Sequence, residues 1–376
     1  MTIYSSLPLQ GATRGQSTAV INGEKLALKD VGGKVGKYTI KYVSLDDATA
    51  QAGAADEGKT GQNARQAIRD KTTIFYLGEF NSGATKVSLP LLNKANIPQI
   101  SPSNTYIGLT TNEPGSEAGE PNIYYPTGKR TYARVVPRDK VQGAALVTVM
   151  KEDNCKAVTL WNDKSTYGAG LARNVALSAK AAGITIEDQQ GTDKNAGNYR
   201  SLASKVTSDC FLWAGTTDQG GVQVFKDVAA ADPKAKMYGP DGVTEPAFTD
   251  PKQGGVPASI AGRIKLTVAT LGVKDLPAAG PILARYKKLY KTQTVAPYAI
   301  YGYETMALAL DTLKRAGSGA NNRETVRQTL LDTKNRKSVL GEYSIDANGD
   351  TTLTDYGLYV IKGGQPTYSK KIVAAG

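Results

Sequence analysis

The chain has 376 residues, long for one core and comfortable for two. With 40% hydrophobic and 21% charged residues it has the composition of an ordinary globular protein, and no apolar run approaches the ~18 residues that cross a bilayer. The formal net charge of +12 comes from dispersed Lys and Arg; it fits a solvated surface better than an anionic membrane or nucleic acid, for which no basic run with interleaved aromatics is present.

There is no histidine, which removes His-based triads, His metal sites and His proton shuttles together. In chain order, strands are predicted at 2–8, 38–45, 73–77, 97–100, 156–161, 184–188, 210–214 and 236–238. Helices are predicted between them at 14–30, 59–70, 84–95, 139–152, 167–182, 196–207 and 220–231. Because a strand is expected directly after Met1, no signal peptide is read there, and an exported protein would have lost its leader. The near-continuous apolar strands and the regular alternation with helices predict an α/β protein with right-handed crossovers.

The alternation comes in two blocks. The first runs to about residue 132 and closes in "EPNIYYPTGKRTYARVVPRD"; the second runs from about 136 to 262. A further strand follows in "GRIKLTVATL", then helices at 278–292, 298–316 and 322–334. These late helices are too few for a third domain and are expected to return to the first block. The tail "DYGLYVIKGGQPTYSKKIV" reads as a hairpin on the second block.

In an open parallel sheet, ligands bind outside the carboxyl ends of the strands. The loops predicted there include "LGEFNSGAT", "ISPSNTYIGLT", "WNDKSTYGAG", "AGTTDQGG" and "YGPDGVTE", rich in glycine, hydroxyl residues and single tyrosines. Glycines let a ligand approach the backbone, and helix-start N–H groups suit a carboxylate or phosphate. No GxGxxG follows the first strand, and neither a Walker A loop nor a GxSxG elbow is present. "DANGDTTLTD" has Asp346, Asn348 and Asp350 at calcium-loop offsets, but glycine falls at the fourth position and no Glu at the twelfth. A turn with Asn348-Gly349 at its tip is the better reading, and no metal is expected. Cys155 and Cys210 each lie at the start of a strand, on strands expected to be neighbours; they are either a disulfide or two buried thiols. Asp241 in "YGPDGV" is either a cap or turn aspartate or an anion that binds an ammonium group. Trp213, in mid-strand, is expected in the core.

The segments "GGKVGKYTIKYVSLDDATA", "GEFNSGAT", "IPQISPSNT", "RVVPRDKVQGAAL", "NDKSTYGAGLA", "YGPDGV" and "YAIYGYETMALAL", in this order, carry a resemblance that covers nearly the whole chain. The sequence resembles the exported solute-binding proteins of branched-chain amino acid ABC transporters. That resemblance implies two doubly wound α/β lobes of the type I periplasmic-binding fold, joined by three strands, with a ligand in the cleft and a closing hinge. Crossings are then expected near 133–137, 263–268 and 348–356, giving lobe 1 as 1–134 plus 266–350 and lobe 2 as 135–265 plus 351–376. It implies that Ser82, with Ser103 and Thr105, takes an α-carboxylate. Asp241, with a backbone carbonyl near Ser103 or Asn104, takes the ammonium, and Tyr167 closes on the ligand. Family members for aliphatic ligands often carry an aromatic residue where this chain has Arg14 and another near Thr217, so a more polar side-chain pocket is expected unless Arg14 points to solvent. Phe80 is either cleft wall or core.

The expected function is therefore capture, without catalysis or cofactor, of an amino acid or similar carboxylate, and its delivery to an ABC transporter membrane permease. The protein is expected to be a monomer, in the periplasm or lipid-tethered outside the cell. The alternatives are a ligand-sensing module of the same fold and an enzyme on a doubly wound sheet; the first usually carries a DNA-binding or membrane segment, and the second lacks nucleotide motifs and a clustered acid–base pair here.

Overall fold

The computed structural model describes residues 1–374. The chain forms two units and passes between them three times: Met1–Pro137 with Leu276–Leu353, and Arg138–Asp275 with the segment from Thr354 on.

The first unit is built on five parallel strands. They are β1 (Thr2–Leu7), β2 (Lys41–Asp46), β3 (Thr73–Gly78), β4 (Gln99–Ser101) and β5 (Tyr132–Arg134), in the order β2-β1-β3-β4-β5. Every residue of β1 and β3 is buried, as expected of strands covered on both faces. Helices α1 (Arg14–Asp30), α2 (Glu57–Arg69) and α3 (Ser82–Lys94) are the connections of this half. Tyr4, Ala64, Ala67, Tyr76, Leu92 and Ile97 form one of its core clusters, joining sheet to α2 and α3. The predicted strand 38–45 divides in two. Tyr38–Thr39 pairs with Lys34–Val35 in a small ribbon, and only Lys41–Asp46 joins the sheet, because Ile40 donates back to the Gly33 carbonyl.

The late helices do return to this unit. α1 and the helix Ala299–Ala316 lie backbone to backbone: a Cβ on Gly302 would strike the Val20 carbonyl, and one on Gly23 the Ala299 carbonyl. That close approach is why "YAIYGYETMALAL" needs its glycine. The 346–350 segment is a turn bracketed by an Ile345–Thr351 bridge, with Gly349 at φ +94°. Its Asp350 is fully buried and paired with Arg134, whose Nε donates at 2.7 Å.

The second unit has seven strands: β6 (Ala157–Asn162), β7 (Thr185–Gly191), β8 (Cys210–Ala214), β9 (Lys236–Gly239), β10 (Ile264–Val268), β11 (Tyr356–Lys362) and β12 (Gln365–Ile372). Their order is β7-β6-β8-β9-β10-β11-β12, parallel through β10 and antiparallel from there. The tail is thus a hairpin on this sheet. Residues 266–275, expected in the first lobe, belong here instead, because β10 is hydrogen-bonded between β9 and β11 and does not serve as a bare connector. The predicted helix 196–207 shrinks to Arg200–Ala203, since Asp227 captures the Tyr199 N–H at 2.6 Å and holds the preceding chain in a loop. β6 and β8 are neighbours, and Cys155 and Cys210 form a disulfide with a Cα–Cα distance of 6.0 Å. Trp213 is fully buried on β8.

Candidate functional site

In the first unit, β3 ends at Gly78 with φ +131°, a conformation that suits glycine, and a Cβ there would meet the Ser6 carbonyl. The chain then runs Glu79-Phe80-Asn81 into α3 at Ser82. The cap residue Asn81 makes no side-chain cap, which leaves the first-turn N–H groups for water or a ligand. The segment after β4 is tied to this loop. Ser101 Oγ donates to the Glu79 carbonyl at 2.9 Å, Ser103 Oγ to the Phe80 carbonyl at 2.9 Å, and Asn104 Nδ2 to both at 3.0 and 2.9 Å.

These bonds sort the predicted residues. Ser82 and Thr105 are buried in the joined loops, and Ser82 Oγ accepts from the Tyr106 N–H at 3.4 Å. Asn104 is fully buried. Its side-chain oxygen takes bonds from Thr85 (2.5 Å) and Tyr132 (3.1 Å), and its carbonyl from Arg134 (3.0 Å). It therefore staples the loop, a structural task, and Ser103 shares it. Phe80 is half-buried, its ring edge-on to Tyr298 at 5.9 Å between centroids. Arg14 is exposed at the first position of α1.

In the second unit, three strand ends supply the corresponding loops. Asp163, after β6, is buried; its carboxylate accepts from Ser165 N–H (2.9 Å) and Oγ (2.6 Å) and from Thr216 N–H (3.0 Å). It thereby joins the loops after β6 and β8. Burial pushes its pKa up to about 6, against the pull of those donors. Ser165 in turn caps α5 (Thr166–Ala181) by accepting from the Gly168 N–H at 3.0 Å. This places Tyr167 in the first turn, where its hydroxyl donates to Asp241 Oδ1 at 2.5 Å. Gln142 Nε2, from helix α4 (Asp139–Glu152), reaches the same oxygen at 2.9 Å and the Thr267 carbonyl at 3.2 Å. Asp241 is thus a buried carboxylate held by Tyr167 and Gln142. Gly242 has no room for a side chain, because a Cβ would lie 2.7 Å from the Gly215 carbonyl oxygen and 3.0 Å from the Tyr167 ring.

Thr217 is committed elsewhere. Its hydroxyl donates to buried Glu245 at 2.7 Å, and burial raises that carboxyl to about 8, so it is largely protonated at neutral pH. Sequence reasoning missed Gln142, Asp163 and Glu245. The first two lay inside segments that carried the resemblance, "RVVPRDKVQGAAL" and "NDKSTYGAGLA", but nothing local marks which of their polar residues turn inward.

A profile of the family described as periplasmic binding protein matches residues 5–365. The Leu/Ile/Val-binding protein BraC3 of Rhizobium johnstonii is 25% identical over 385 residues, covering 100% of this chain and 94% of its own length. The leucine binding protein LivK from Thermotoga maritima superposes with a TM-score of 0.83 at 20% identity, over 99% of this chain and 98% of that one. A solute binding protein from R. palustris, solved in complex with benzoate, gives a TM-score of 0.80 at 18% identity, over 99% and 97%. These relatives and neighbours are binding proteins, and the structural likeness is one of fold. With the family profile spanning nearly its whole length, the chain belongs to the periplasmic binding protein family, on the type I fold shared with LivK.

Proposed function

We propose that the protein is the extracytoplasmic solute-binding component of an ABC transporter and that its ligand is an amino acid. The hydroxyls of Ser82 and Thr105 and the α3 N-terminus would take the α-carboxylate, and Asp241 the ammonium. Donors suit a carboxylate, and a fixed carboxylate suits an ammonium. The observation that carries the reading is Asp241, a buried carboxylate held by Tyr167 and Gln142 at the carboxyl end of a parallel strand. An aromatic acid such as the benzoate of the R. palustris neighbour brings no ammonium donor for that carboxylate to accept from.

The ligand would act by its differential affinity for two arrangements of the protein, one of which the permease reads. Delivery to a membrane permease, action as a monomer, and location in the periplasm or on a lipid tether are parts of the same proposal. Among the described residues no helix is long and apolar enough to cross a membrane. Asn104 and Thr217 are given structural tasks in this reading, and Arg14 faces solvent unless the ligand carries a second carboxylate. A thermal-shift screen of amino acids, dicarboxylates and aromatic acids tests the proposal, since a ligand bound only by the folded state raises its melting temperature. Stabilisation by an amino acid supports it; stabilisation by benzoate alone overturns it.

A further inference from the structure

Beneath the loop that bears Ser82 lie two acidic side chains that the binding reading does not use. Asp47 follows β2 and Glu79 follows β3, and β1 runs between those strands, its Ser6 registered with Leu45 and Gly78. Both carboxyls are fully buried. Ser6 Oγ donates weakly to Asp47 Oδ2 at 3.4 Å, Asn63 Nδ2 of α2 donates to Ser6 Oγ at 3.1 Å, and Tyr76 of β3 donates to Glu79 Oε1 at 2.9 Å. Among the described residues no lysine or arginine is bonded to either. The remaining oxygens, Asp47 Oδ1 and Glu79 Oε2, are buried and receive no hydrogen bond from any donor among the described residues, and each carboxyl lies near enough to the other to shift its titration.

A bond between two carboxyls needs a proton, because two carboxylates offer only acceptors. Two bare charges in this setting would also face desolvation and mutual repulsion with no counter-ion. We propose that Asp47 and Glu79 share one proton at neutral pH and that the pair positions the 79–82 loop, so that losing the proton loosens the loop offered to the ligand's carboxylate. The lever is Glu79 itself. Its side chain reaches down to Asp47, while its carbonyl holds Ser101 and Asn104 and its N–H donates to Thr85 at 3.2 Å. Burial raises both groups, Asp47 to about 7 and Glu79 well above the usual carboxylate range; the neighbouring Asp46 pushes Asp47 further in the same direction. Retention of a proton that the unfolded chain would release means that stability contributed by the pair falls as pH rises through the folded-state titration.

The positioning role rests on the binding reading, but the shared proton does not, and the test separates them. Glu79→Gln keeps shape and a donor to Asp47 while removing the titration; Glu79→Ala removes both. First, infrared spectra at neutral pH should show one fewer protonated carboxyl in Glu79→Gln than in wild type. Second, raising the pH to about 9 should lower the wild-type melting temperature more than that of Glu79→Gln, a comparison in which buried Glu24 and Glu245, each raised to about 8, cancel. Third, wild-type affinity for leucine should fall about tenfold over the same range while that of Glu79→Gln stays within about twofold. An unchanged carboxyl band, a stoichiometric bound cation, or identical melting profiles would overturn the shared proton. Leucine binding that tracks pH equally in both proteins would overturn the positioning. If leucine fails to bind even at neutral pH, the binding reading fails, and the first two measurements still decide the proton.

Discussion

Replacing Arg134 by Met should destabilise the first unit by stranding the buried groups that Arg134 holds. Arg134 is fully buried; its Nε donates to Asp350 Oδ1 at 2.7 Å, NH1 to the carbonyls of Asn104 (3.0 Å) and Tyr106 (2.9 Å), and NH2 to Thr110 Oγ1 at 2.6 Å. Met fills much of the volume but leaves Asp350 charged, 1% exposed and without its cation. Breaking a buried pair in this way costs about 3–5 kcal/mol.

The two stranded carbonyls add to that loss. For a unit of roughly 200 residues, 4 kcal/mol corresponds to a melting shift of about 8–16 °C. Calorimetry measures it. The double variant Arg134→Met/Asp350→Asn should recover most of the carboxyl share at neutral pH, because the charge is gone with its partner. A double variant no more stable than the single one would refute this expectation.

Two further outcomes follow from the geometry. Replacing both Cys155 and Cys210 by Ser opens a loop with a sequence separation of 55, and chain entropy puts the loss for the second unit at about 4 kcal/mol, read as a lower melting temperature matched by wild type in reductant. Ser82→Ala should weaken amino-acid binding by roughly 1–3 kcal/mol, the cost of stranding a charged partner, with little change in melting; calorimetry that finds unchanged affinity would remove Ser82 from the site.

Much of this fold is written in local pattern. "TIFYLG" and "CFLWA" are apolar throughout because both sheet faces are covered, and each proved a central, fully buried strand. The disulfide was visible as a possibility because cysteines at neighbouring strand starts share one edge. What stayed hidden depends on partners far away in sequence. Asp350 looked like part of a degenerate calcium turn, and its meaning comes from Arg134, 216 residues earlier. Asn104 entered through the resemblance as a possible backbone-carbonyl partner of the ammonium, yet that carbonyl accepts from Arg134 and its side chain is bonded to Glu79, Phe80, Thr85 and Tyr132. β10 read as a crossing strand because apolar pattern cannot tell a sheet member from a connector; its pairing with β11, some 90 residues on, decides that. Asp47 and Glu79 gave no signal because two acids 32 residues apart become partners only when β1 lies between their strands.

The central claim is that Asp241 receives the ammonium of an amino acid. Titration calorimetry of wild type and Asp241→Asn with leucine and with its deaminated analogue, 4-methylpentanoate, addresses it most directly. Wild type should prefer leucine by about tenfold or more and Asp241→Asn should lose most of that preference, since a bond to a charged group contributes about 1.5–3 kcal/mol. Equal binding of leucine and 4-methylpentanoate by wild type, or a preference that survives in Asp241→Asn, would contradict it.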